Sequence, residues 1–416
     1  GTDTVTFSGG DISLVSLGYA PAVTDEFYFI RCNSASCLTA IPVSTNIIDF
    51  SGTVSSFTIL EIISGGVLAP ATYNDFFQYT INSFSGTTFQ LGAAEADGTY
   101  LWSNAANWGG TLPVDGSSLD IPDLVGSPII VFDTSAGTLA PLDLTSWEEL
   151  RITGGSLLFG DDTEFRSNLD FRSGTFGATA GVISFVGGNV LWSGGTLSGG
   201  GTLNLNGAAS VAISGNPVLD GMTVQYANTL NFASGTLDIQ SGSMTGLFNM
   251  SVQDGATLTM SGGSINVTSD VTIDGDFNMS GGSLVLTEGT LDINGNLNWS
   301  AGSISVDTDF NINSGGQLLV SGSPTANNDT ITLLNGGLLG GNGTLTANIN
   351  NTSGNLSPGN SPDTLTLEGN LTLAAGSTTT MDITGLNQGS SIVPGGYDFI
   401  NVVDDPGTPS TVEGNV

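Results

Sequence analysis

Ser280-Gly281-Gly282-Ser283-Leu284, followed by Thr290-Leu291-Asp292-Ile293-Asn294, holds the pattern that decides the fold. A small polar residue and glycine mark a corner, and strict apolar/polar alternation follows. Alternation with period two makes a strand with one face turned inward. The same grammar stands upstream, in Ser193-Gly194-Gly195-Thr196-Leu197 and Thr202-Leu203-Asn204-Leu205-Asn206.

Working outward, the corner recurs. Gly154, Gly174, Gly194, Gly215, Gly235 and Gly255 follow one another at intervals of 20 or 21 residues, and a second register runs through Gly262, Gly281 and Gly302. A period near 20 is the mark of a solenoid. One coil cannot bury its apolar edge alone, so coils must stack. Glycine supplies the positive φ that a tight corner needs. The expectation is an all-β chain whose residues 141–385 form a parallel β-helix of about 20 residues per coil. Roughly 12 such coils at about 4.8 Å each make a rod on the order of 60 Å long.

The flanks read differently. Residues 1–97 carry aromatic strand runs such as Phe27-Tyr28-Phe29-Ile30 between Gly, Pro and Asn turns, which suggests a small separate β-domain. Residues 98–140 hold Trp102-Ser103-Asn104-Ala105-Ala106-Asn107-Trp108-Gly109-Gly110. Trp102 and Trp108 suit either of two tasks: covering the open end of the solenoid core, the preferred one, or stacking on a sugar. Residues 386–416 read as a strand-like tail and an inter-subunit contact. Val412-Glu413-Gly414-Asn415-Val416 echoes Leu367-Glu368-Gly369-Asn370-Leu371, and Gly1-Thr2-Asp3-Thr4-Val5 also reads as strand. Uncapped solenoid ends pair head to tail, so the expected partner is a second copy, added end to end into a filament.

Composition narrows the chemistry. The chain of 416 residues has 38 acidic side chains, four Lys plus Arg, no His and a net charge of -34. All four cations are arginines: Arg31, Arg151, Arg166 and Arg172. Nucleic acid and anionic membrane surfaces would repel it, and no membrane insertion is expected. A Ser-His-Asp triad, a His-ligated zinc site and a catalytic lysine are all beyond its residue set. Beyond Arg172 trypsin has no site, which suits long life outside a cell. Cys32 and Cys37 read as a small disulfide-closed loop in an oxidising compartment, or else as two unpaired thiols; the extracellular cast of the composition favours the disulfide.

Three sets of side chains could carry chemistry. Asp161, Asp162 and Glu164 stand near Arg151, Arg166 and Arg172 in sequence, where both signs of charge concentrate. They suit ordinary ion pairing better than a polyanion-cleaving site. Asp270, Asp274 and Asp276, and also Asp307 and Asp309, are dense enough for paired carboxylates. Alternation places Asp274 and Asp276 on one solvated face, as surface charge or at most weak Ca²⁺ ligands. No metal site, cofactor or catalytic residue is assigned. Asn-x-Ser/Thr sequons recur from Asn249 to Asn370, as chance produces in a chain this rich in Asn, Ser and Thr.

One stretch carries a family resemblance. Gly341-Asn342-Gly343-Thr344-Leu345 through Leu371-Thr372-Leu373, with Leu356-Ser357-Pro358-Gly359-Asn360-Ser361-Pro362 at its centre, resembles the β-strand repeat of bacterial autotransporter passengers and related surface proteins. The segment from Trp102 to Pro122 resembles the module that precedes such repeats. The resemblance spans about residues 98–403. It implies a right-handed parallel β-helix, secreted and displayed as an adhesin or matrix protein against a glycan or other cell-surface target. It names no substrate, and no translocator barrel is visible in this chain.

Overall fold

A computed structural model describes residues 88–359, 362–388 and 396–403, together with the strands Gly10–Ser13, Glu26–Cys32, Thr45–Ile48, Ser56–Ser64, Val67–Leu68, Ala71–Thr72, Asp75–Ser83 and Val412–Gly414. In the N-terminal stretch Asp75–Ser83 lies antiparallel between Glu26–Cys32 and Ser56–Ser64. Gly10–Ser13 pairs in parallel with Thr45–Ile48. From residue 88 on, the described residues form a parallel β-solenoid of about 12 coils, near 20 residues per turn, apart from a separate pair of short strands, Asn387–Gln388 and Gly396–Tyr397.

Each coil has three faces, and each face is a parallel ladder with its inward residues in register. On the first face Leu150 pairs with Leu169, Leu169 with Val190 and Val190 with Val211. Past a break, the column resumes with Leu230, Met250, Val271, Leu291, Phe310, Ile331, Ile349 and Leu371. The second face stacks Leu157, Phe176, Leu197, Leu219, Ile239, Met260, Met279, Trp299 and Val320. The third stacks Ile183, Leu203, Val224, Met244, Ile265, Leu284, Ile304 and Ala326. Apart from the half-buried Val211, these side chains are buried in one continuous core. Each large one removes enough apolar surface from water to contribute about 1.5–3 kcal/mol.

The two glycine registers prove to be two corners of the same coil. The bent strand Glu149–Phe159 passes from first to second face at Gly154 and Gly155. Further along, Asp276–Leu286 bends from second to third face at Gly281 and Gly282. Between these stretches each face has its own short strand, as in Met250–Val252, Ala256–Met260 and Ser264–Val267. The register changes because the strand-through-corner geometry moves one corner along, not because the coil changes length.

The ladder also reaches past the residues expected to form it. Tyr100–Leu101 pairs with residues 130–131, and Ser118–Ile121 pairs with Asp143–Ser146. At the other end Phe399–Val403 pairs with Thr364–Glu368, and Val412–Gly414 with Leu371–Leu373. The entry segment and the tail strands Phe399–Val403 and Val412–Gly414 therefore belong to the ladder themselves. The entry turns carry short 3-10 helices, and an excursion described at residues 380–388 and 396–398 interrupts the other end, so the 20-residue beat is lost while the pairing persists.

Gly282 shows what a corner demands. It has φ +78°, and a Cβ there would lie 2.5 Å from the carbonyl oxygen of Gly262 on the preceding coil. Gly302 repeats this at φ +88°, 2.6 Å from the oxygen of Gly282. Gly336, also at positive φ, has open space around its Cβ direction. Replacing Gly282 by valine is expected to cost at least about 2 kcal/mol, from backbone strain and the clash together, whereas Gly336→Ala loses only the backbone part, about 1–2 kcal/mol. Paired thermal melts of the two variants check the ranking.

Candidate functional site

The entry coils gather the aromatic and charged side chains singled out in the sequence, so the site is built from there. Asn104 caps the 3-10 helix Ala105–Trp108 by accepting the Ala106 N–H at 3.1 Å, and Gly109 closes it at φ 65°. Asn107 donates to the Leu101 carbonyl at 2.9 Å and accepts from the Ala93 N–H at 2.8 Å. This tight turn folds both indoles inward. Trp102 and Trp108 are 2 % and 1 % exposed, with ring centres 4.8 Å apart. Phe89 meets Trp108 edge-on at 5.1 Å, Phe132 meets Trp102 at 5.3 Å, and the Trp108 indole N–H donates to the Trp102 carbonyl at 2.8 Å. Their surfaces are used on core neighbours, and neither is open to a sugar. The stacking role considered for this pair is set aside.

The mixed-charge cluster separates into two groups. On the first face Asp170 accepts from Arg151 at 3.0 Å and from Arg172 at 2.6 Å, while Arg151 also meets Glu149 at 3.0 Å. On the third face Arg166 pairs with Glu164 and lies 4.4 Å from the ring centre of Trp147. Asp161 and Asp162 sit in the turn between second and third faces, where Asp162 accepts the Val182 N–H at 2.8 Å. All three guanidiniums thus have carboxylate partners, and no basic residue here faces an open carboxylate cluster.

The downstream acids follow another rule. Asp274 and Asp276 do not share a face: Gly275 lies in the corner between them, with Val271–Ile273 before it and Asp276–Leu286 after it. Each accepts an amide hydrogen from the next coil, Asp274 from Asn294 at 2.9 Å and Asp276 from Asn296 at 2.7 Å. Asp292 accepts likewise from Asn311 at 3.2 Å. Stacked carboxylates would repel at this spacing, and asparagine above aspartate turns the repulsion into a hydrogen bond. Asp307 and Asp309 are exposed. Among the described residues no three Asp, Glu, Cys or His side chains come together as a cation site. A void of about 10 Å³, lined by Phe171, Trp192, Ile213 and other apolar side chains, has no polar wall to hold a water. Cys37 lies outside the described residues, and of Cys32 only the backbone is described, so the pairing read for them has no geometry here.

Two features were invisible in the sequence. Asp120 is 6 % exposed with neither carboxylate oxygen hydrogen-bonded, and burial pushes its pKa up to about 7. Glu148, on the next coil, is also pushed up to about 7, first by burial and further by the charge of Asp123, against the Leu124 N–H that it accepts. At the other end Asp398, 2 % exposed, accepts the N–H of Asp363 at 3.0 Å and of Asp382 at 2.8 Å. A Cβ on Gly359 would lie 2.6 Å from that carboxylate. The glycine of the Leu356-to-Pro362 motif thus makes room for a clamp that ties the excursion to the last coils. No sequence signal pairs residue 359 with residue 398.

The chain matches no protein-family model, no curated protein and no solved structure.

Two outcomes follow. Asp120 and Glu148 stay protonated in the fold at pH values where the unfolded carboxyls ionise. Their joint contribution to stability is therefore greatest below about pH 4, falls as pH rises towards 7, and is level above. Asp120→Asn should raise the melting temperature at pH 8, by the equivalent of up to about 4 kcal/mol, and change little at pH 4. Asp398→Ala strands two backbone N–H groups and should cost about 2–4 kcal/mol. Hydrogen exchange should then rise in residues 355–373 and 396–403 and stay unchanged in residues 150–320, because coils support only their neighbours.

Proposed function

We propose that this chain is an extracellular structural or adhesive rod, exported by a bacterium and assembled end to end into a surface filament or matrix fibre. The observation that carries the reading is the parallel ladder that links residues 100 to 414 through three faces. A stack of parallel strands extends by the pairing that builds it, so adding a second copy at an end needs no new chemistry. The outer surface supports the same reading. Carboxylates on successive coils are interleaved with asparagine, and a net charge of -34 keeps such rods soluble and laterally apart. The resemblance of residues 341–373 to the autotransporter β-strand repeat points the same way, to display outside the cell.

A polyanion lyase fits less well, since Arg166 is occupied by Glu164 and Trp147, and Arg151 and Arg172 by Asp170. Negative-stain electron microscopy of concentrated protein is expected to show filaments with an axial repeat no shorter than on the order of 60 Å, the length of about 12 coils. Monodisperse single rods at every concentration would overturn the filament. Lyase activity on acidic glycans that disappears with Arg166→Ala would replace the reading altogether.

A further inference from the structure

The third face differs from the rest of this acidic molecule. From Val182–Phe185 to the strand at residues 344–346 no residue on it is charged. Apart from Val182 and Val285, its outward positions are hydroxyls and amides, as in Thr202 and Asn204, Thr223 and Gln225, Ser243 and Thr245 on three successive coils. All are half-buried or exposed. Strands stacked about 4.8 Å apart, with outward side chains every second residue, set these groups on a flat and regular grid.

The edge where this face turns into the next coil carries an exposed aromatic or apolar side chain on three coils. Trp147, Val186 and Phe248 are 39 %, 54 % and 56 % exposed. Each follows a third-face strand directly, after Ser146, Phe185 and Leu247. Of the five tryptophans in the chain Trp147 is the exposed one, the other four being at most 3 % exposed. Arg166, held by Glu164, lies over its ring and fixes its angle. Trp147 and Phe248 stand five coil steps apart, about 24 Å along the axis.

The geometry points to a binding surface for an uncharged, hydroxyl-rich polysaccharide laid along the third face, with Phe248 and, across the mutually paired Glu164 and Arg166, Trp147 as stacking platforms and the Ser, Thr, Asn and Gln positions from Ser184 to Thr245 as hydrogen-bond partners. Aromatic rings take the apolar faces of sugars, and uncharged hydroxyls and amides both donate and accept towards their hydroxyls. Charge selects the class. The molecule at large repels polyanions, and an uncharged strip offers an ionic partner no counter-charge. This deepens the adhesive half of the proposed function and names its contact surface.

Affinity electrophoresis of the whole chain in gels containing hydroxyethyl cellulose, soluble mannan or polygalacturonate tests it. Retardation is expected with at least one of the two neutral polymers and not with polygalacturonate. Trp147→Ala, Phe248→Ala and Thr223→Asp should each weaken it about tenfold or more, with circular dichroism melts close to the parent's. Thr223→Ser, which keeps the hydroxyl, should bind nearly as the parent does. No retardation by either neutral polymer, retardation that ignores all three substitutions, or equal retardation by polygalacturonate would overturn the proposal. Filaments seen by electron microscopy in any of those cases would leave the structural reading standing.

Discussion

Everything in this molecule depends on one constraint: each coil must lie about 4.8 Å from the next along its whole perimeter, so that backbone N–H and C=O groups pair between coils. The inward columns satisfy the hydrophobic side of that demand. Ile183, Leu203 and Val224 can stack because each projects from the same point of its coil. The corners satisfy the steric side. Where the carbonyl of Gly262 approaches Gly282, a side chain on Gly282 would hold the coils apart. Glycine at that site is set by the neighbouring coil as much as by its own φ.

The same spacing governs the exterior. Like residues stacked coil upon coil come closer than free charges tolerate, and this chain has few cations to relieve them. It uses two devices. Near the entry, three arginines tie Glu149, Glu164 and Asp170. Farther on, asparagine amides stand over aspartates, as Asn294 does over Asp274. The third face avoids the problem by carrying no charge over most of its length. An acidic molecule can in this way keep one neutral side without upsetting its stack.

Towards the two ends of the described ladder stand buried carboxylates of opposite character. Asp398 has an N–H on each oxygen and clamps. Asp120 has none, and stays in place by keeping its proton. The second weakens as pH rises towards 7.

The sequence by itself determined the solenoid, its period, the inward residues of each alternating strand and the acid-rich, histidine-free surface. These are local patterns that repeat, and repetition makes them legible. Only the tertiary structure decided that the two glycine registers are two corners of one coil, since that depends on which strand bends through which corner. It also decided that residues 98–140 and the strands Phe399–Val403 and Val412–Gly414 join the ladder, because irregular turns hide the period but not the pairing. Trp102 and Trp108 suited core cover or sugar stacking in the sequence; the capped turn between them buries both in the core and leaves Trp147 outside. Asp120, Glu148 and Asp398 gave no sign in the sequence, because burial and partners 16 to 35 residues away are properties of the stack and not of any window along the chain.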